Sequence, residues 1–134
     1  MAGYSGTALA AKLGINVGSL VLLDGAPAAF DLGPLPDGVT VHRRAGGRPY
    51  DVIVCFCPDL ATLRRRWPVL HARTTQAGSV WVAWPKRASG VPTDLTDNVV
   101  REHVLGNGRV DVKVCAIDEV WSGVKNVIRV SDRS

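Results

Sequence analysis

Cysteine is scarce in this chain. Three thiols in 134 residues cannot all pair with one another, and they fall short of the dense, even set that a secreted disulfide scaffold carries. A reducing cytoplasm is the setting expected. Residues 1–20 lack the basic start and apolar run of a signal peptide, and no stretch reaches membrane-spanning length, so no membrane partner is expected. Charge of one sign is also thin: sixteen Lys and Arg against twelve Asp and Glu leave +4. The basic residues are scattered among acids rather than gathered on a phosphate-tracking surface, so nucleic acid is permitted but not required. Even Arg64-Arg65-Arg66 reads as a solvated face, because consecutive helical residues fan around the axis and at least one must pack its stem at the boundary.

What is present is a core. Hydrophobic residues make up 46% and charged residues 21%, which excludes disordered, collagen-like and coiled-coil classes. At this length about two thirds of the surface can be buried, so one domain spanning residues 1–134 needs no staples. The start reads as a short helix capped by Ser5 and closed by Gly14. Buried strands are expected at 19–23, 51–57 and 79–84, with a short strand at 40–43. The segment Asp51-Val52-Ile53-Val54-Cys55-Phe56-Cys57 is apolar on both alternating faces, as in a central parallel strand covered on both sides. Pro58-Asp59 opens a helix in which Leu60, Leu63, Trp67 and Leu70 recur at spacings of three and four, with Pro68 expected to kink or break it. A second helix is expected from Asp94 to Leu105, stopped by Gly106. Strands at 110–118 and 122–130 are too close for a parallel crossover and should form an antiparallel hairpin.

This order of elements predicts an α/β fold: a three-layer Rossmann-like sandwich with a mainly parallel six-stranded sheet ending in an antiparallel hairpin. The succession resembles the second half of class I methyltransferases, which implies the spatial strand order 2-1-3-4-6-5. It departs from that family where the cofactor would sit. The first strand runs into Asp24-Gly25-Ala26-Pro27 with a single glycine, and the second ends in His42-Arg43-Arg44 rather than an acid, so S-adenosylmethionine is not expected and no cofactor is implied. The segments Trp81-Val82-Ala83-Trp84-Pro85-Lys86-Arg87-Ala88-Ser89-Gly90-Val91-Pro92-Thr93-Asp94-Leu95-Thr96 and Val114-Cys115-Ala116-Ile117-Asp118-Glu119-Val120-Trp121-Ser122-Gly123, with the Tyr4-Ser5-Gly6-Thr7 start, resemble a small uncharacterised family of high-GC bacteria, a domain-of-unknown-function family. That resemblance covers most of the chain, implies the fold and a cytoplasmic location, and assigns no catalytic residue.

In an open parallel sheet ligands bind beyond the carboxyl ends of the strands. This rule selects Asp24, Trp84, Lys86, Ser89, Asp118, Glu119 and Trp121 as candidate ligand-binding residues, with Trp84 and Trp121 forming one indole wall and Lys86 facing Asp118. The function expected is a non-catalytic or regulatory small-molecule-binding module. The alternative is a small cofactor-independent enzyme, with Asp118 or Glu119 as general acid or base and Lys86 stabilising an anion. Cys55 and Cys57 share one strand face and read as small buried hydrophobes, with a reactive thiolate at Cys57 as the sharper alternative. Cys115, His42, His71 and His103 lack zinc spacing, so no metal is expected. The end of a helix would favour the charged form of His71.

Overall fold

A computed structural model describes residues 8–133. Its elements are α1 (Leu9–Lys12), β1 (Leu20–Asp24), β2 (Thr40–His42), β3 (Tyr50–Phe56), α2 (Leu60–His71), β4 (Thr74–Pro85), α3 (Asp97–Leu105), β5 (Val110–Ala116) and β6 (Trp121–Val127). The expected Ser5 cap and the motif at residues 4–7 lie outside the described residues, whereas Gly14 follows the end of α1 in the left-handed conformation, as expected.

The six strands form one sheet in the order β2-β1-β3-β4-β6-β5, the order expected. Three ladders are parallel, β1 with β2, β1 with β3 and β3 with β4, whereas β6 runs antiparallel to both β4 and β5. The sheet is therefore mixed rather than mainly parallel. The reason is the hairpin: with only residues 117–120 between them, β5 and β6 must run oppositely, and β6 then brings the same polarity against β4.

Strand alternation divides the core between two faces. Leu20, Leu22, Ile53, Cys55, Val80, Val82, Trp84 and Val124 meet Leu63, Trp67 and Leu70 of α2 and Val100 and Val104 of α3. Val21, Leu23, Val52, Val54, Phe56, Trp81 and Ala83 meet Ala10, Leu13 and Ile15, together with Phe30 and Leu32 from the irregular segment after β1. The Trp81 indole N–H donates to the Leu13 carbonyl at 3.0 Å, satisfying a buried donor and one of the unpaired carbonyls at the end of α1.

Three local expectations change. Helix α2 runs through Pro68 to His71. Pro68 is exposed, while buried Trp67 and Leu70 on either side hold the helix against the sheet and offset the lost backbone bond. Helix α3 begins at Asp97 behind the N-cap Thr96, which accepts from Val99 N–H. Asp94 is not its cap, because the Asp94 carboxylate accepts from Leu60 N–H at the start of α2, 2.9 Å away. Strand β4 starts five residues earlier than expected, with an irregularity opposite the pair Tyr50/Val52 that leaves Thr75 to Gly78 out of register.

Candidate functional site

The carboxyl ends of β1, β3 and β4 share a rim with the β5–β6 turn. The strand order reverses direction between β1 and β3, the place where an open α/β sheet opens a ligand crevice. Here that place is filled. Arg66 reaches from α2 and grips Asp24 with two bonds, Nη2 to Oδ1 at 2.7 Å and Nε to Oδ2 at 3.0 Å. The Cys55 thiol donates to the same carboxylate at 3.6 Å, and its sulfur lies 3.3 Å from that of Cys57. The bond to Cys57, followed by burial, pushes the Cys55 thiol well above its ordinary pKa, so it stays protonated. The Asp24 bond raises the pKa of Arg66 and keeps the guanidinium charged. Asp24 is thus a structural partner of α2, not an open ligand contact. Both cysteines are fully buried, which suits their reading as core residues, and among the described residues no His, Cys, Asp or Glu group could hold a metal.

The open concavity on this rim is displaced to β4. A groove of about 530 Å³ lies between the end of β4, the loop that follows it, the start of α3 and the two hairpin strands. Trp84 and Ser122, neighbours in the β4–β6 register, form its floor. Val91 and Pro92 from the loop and Val114 from β5 form apolar lips, with Val91 43% and Val114 42% exposed. Lys86 and Arg87 stand where the strand passes into a 3-10 turn, Arg87–Ser89, whose exit Gly90 takes the left-handed conformation a turn there requires. Neither cation has a carboxylate within 4.0 Å among the described residues.

The other expected site residues separate. Trp84 belongs to the α2/α3 face, whereas Trp121 packs on the opposite face, edge-on to Phe56 with ring centroids 5.1 Å apart. The two indoles do not form one wall, because Trp121 pairs with Pro85 and one residue along a strand is the difference between faces. Asp118 is committed to the hairpin: Oδ1 accepts from Val120 N–H and Trp121 N–H, each at 2.8 Å. It makes no ion pair with Lys86, although Lys86 N–H reaches Val120 O at 2.8 Å. Glu119 is exposed and does not line the groove. Ser89 holds the loop, donating to Lys86 O at 2.7 Å and accepting from Val91 N–H at 3.1 Å. Of the seven expected residues, Trp84 and Lys86 line the groove; Arg87, Val114 and Ser122, which were not among the seven, join them.

Two further features were not foreseen. Arg109 is 1% exposed and has no carboxylate partner among the described residues. It donates to His71 Nδ1 at 2.9 Å, to the His71 carbonyl at 3.2 Å and to Thr74 Oγ1 at 2.6 Å, and burial draws its pKa down to about 10. The His71 ring stacks on Trp67, which also receives His103 edge-on. The accepting Nδ1 makes His71 neutral, so the expected charged form at the helix end is not the one held. At the amino ends of β1 and β3 a second concavity of about 440 Å³ lies among Gly14, Gly18, Ser19, Asp51, Gly78 and Lys125. The glycines at its edge were the only local signal for it, and Asp51 there is engaged by Leu20 N–H at 2.7 Å.

No family model matches the chain, and no curated protein matches it. No described helix is long and apolar enough to cross a membrane.

Proposed function

We propose that the protein is a non-catalytic or regulatory small-molecule-binding module on a degenerate Rossmann-like, methyltransferase-like frame, working in the cytoplasm and receiving its ligand in the groove between β4 and α3. The strand order and the closing antiparallel pair support the frame. Three unpaired thiols suit the compartment. The Asp24–Arg66 pair across the β1/β3 crevice supports a frame that has given up the cofactor position and moved its opening along the rim.

The observation that carries the reading is the groove itself. Its volume falls in the range of small-molecule sites, and it combines an indole floor and aliphatic lips with a few polar groups. Asp118 is held by the hairpin backbone and Glu119 lies outside the groove, so a binding module is favoured over acid–base catalysis.

A thermal-shift screen of a metabolite library, repeated on Val114→Trp, tests this. Val114 is an exposed lip, so the larger ring fills the groove with little effect on the fold. Hits should raise the melting temperature of the wild type by mass action and fail to do so for the variant. Hits that stabilise both proteins equally, or no hit at millimolar concentration, would overturn the reading.

A further inference from the structure

Resting on the groove as the binding site, we infer that its ligand is an organic carboxylate: a single anionic head on an apolar, planar or branched body. The inference comes from an imbalance between donors and acceptors. Four groups that can donate line the groove and make no hydrogen bond within the described residues: the Trp84 indole N–H, the Lys86 ammonium, the Arg87 guanidinium and the Ser122 hydroxyl. The threonine oxygens there are already used, Thr93 Oγ1 by Leu95 N–H at 3.1 Å and Thr96 Oγ1 by Val99 N–H at 3.2 Å. Against these donors the free side-chain acceptors are the Asp97 carboxylate and the lone pairs of the Ser122 hydroxyl, so a ligand that fits brings more acceptors than donors.

Charge narrows the class. Lys86 and Arg87 bring two positive charges to the groove, and the Asp97 carboxylate at the start of α3 is shared with Arg101 at 3.9 Å, so the groove is net positive. An anionic head answers that charge, and a carboxylate brings one negative charge near Asp97 where a phosphate dianion brings two. Two planar forks can meet here, because a guanidinium and a carboxylate match in geometry. Beside these polar groups, Trp84, Val91, Pro92, Leu95 and Val114 offer contact to carbon, which suits an apolar body behind the anionic head. The head is accordingly assigned to the Lys86–Arg87 end and the body to the trough between Val91 and Val114.

The probes are 4-phenylbutanoate, its primary amide, 4-phenylbutylamine and inorganic phosphate, titrated into the ¹⁵N-labelled full chain. The carboxylate is expected to shift the amides of residues 84–91, 114 and 122, at least tenfold more tightly than the amide, and to weaken as salt rises. Lys86→Ala and Arg87→Ala should each weaken it three- to tenfold and leave binding of the amide unchanged. Unperturbed spectra elsewhere would show that both variants are folded. Amide or amine binding in the groove as tightly as the carboxylate overturns the anionic class and leaves the groove reading standing. Phosphate binding as tightly as the carboxylate overturns the requirement for an apolar body. Shifts confined to other surfaces, or none with any probe, overturn both this inference and the groove reading.

Discussion

Arg109 Nε donates to His71 Nδ1 at 2.9 Å, and an imidazole nitrogen that accepts cannot also carry a proton. A buried cation without a carboxylate partner among the described residues thus holds its neighbouring histidine neutral.

This contact sets a pH dependence. Burial first, and then the Arg109 charge, lower the pKa of His71; burial, and then Arg64, lower that of His103. Both histidines bind protons more readily in the unfolded chain, where the value is about 6.5. Stability is therefore complete above that value, falls as the pH drops through it toward the lower folded values, and stops falling below them. Urea midpoints measured between pH 7.5 and 5 should show this decline. His71→Gln combined with His103→Gln should flatten it; an equally steep decline in the double variant would refute the assignment.

Removing Arg66 should be costly although it lies on a helix surface. Arg66→Ala leaves Asp24, 13% exposed in its side chain, without either charge-assisted bond. A loss of about 1.5–3 kcal/mol is expected from denaturant unfolding. Arg66→Lys should recover only part of it, since an ammonium cannot reproduce the two-pronged grip. Full recovery by lysine would mean that charge alone matters there.

The three thiols should react in two classes. Cys115 is half-buried and should be labelled first by a small thiol reagent in native protein. Cys55 and Cys57 are fully buried, and the Cys55 proton is held, so both should wait for unfolding. Mass spectrometry of peptides after brief labelling would separate them. Prompt modification of Cys57 would instead restore the reactive-thiolate reading.

Gly78→Ala should destabilise without altering the groove. A Cβ at Gly78 would lie 2.9 Å from the Tyr50 carbonyl oxygen, and backbone in the middle of a sheet has little room to yield. About 1–3 kcal/mol of overpacking is expected from urea unfolding. A neutral substitution would show that the irregular segment Thr75 to Gly78 moves as a unit.

The parts of the fold that could be read locally were those set by local pattern. The apolar segment from Val52 to Cys57 forces burial on both faces, and the short link before Trp121 forces an antiparallel hairpin; the strand order is implied by the resemblance in the succession of elements and not by these segments. Parts decided by distant partners could not be read this way. Asp94 has the look of an N-cap in its own segment, yet its acceptor oxygen serves a residue 34 positions earlier. The first half of β4 is polar and small around Gln76 and Ala77, so its pairing with Tyr50 left no hydrophobic signature. In the site, the rim rule finds Trp84 and Lys86, but the face of Trp121 depends on a one-residue register, and Ser122 and Val114 enter the groove only through strand pairing.

The Asp94 link gives the groove loop a mechanical role. The first turn of α2 is held by two carboxylates, Asp59 on Thr62 N–H and Asp94 on Leu60 N–H, and the second belongs to the segment that forms one wall of the groove. Lifting that segment would strip α2 of a cap, which would couple loop opening to helix fraying. Amide exchange at Leu60 should then slow when the groove is occupied, reporting a ligand that never touches it.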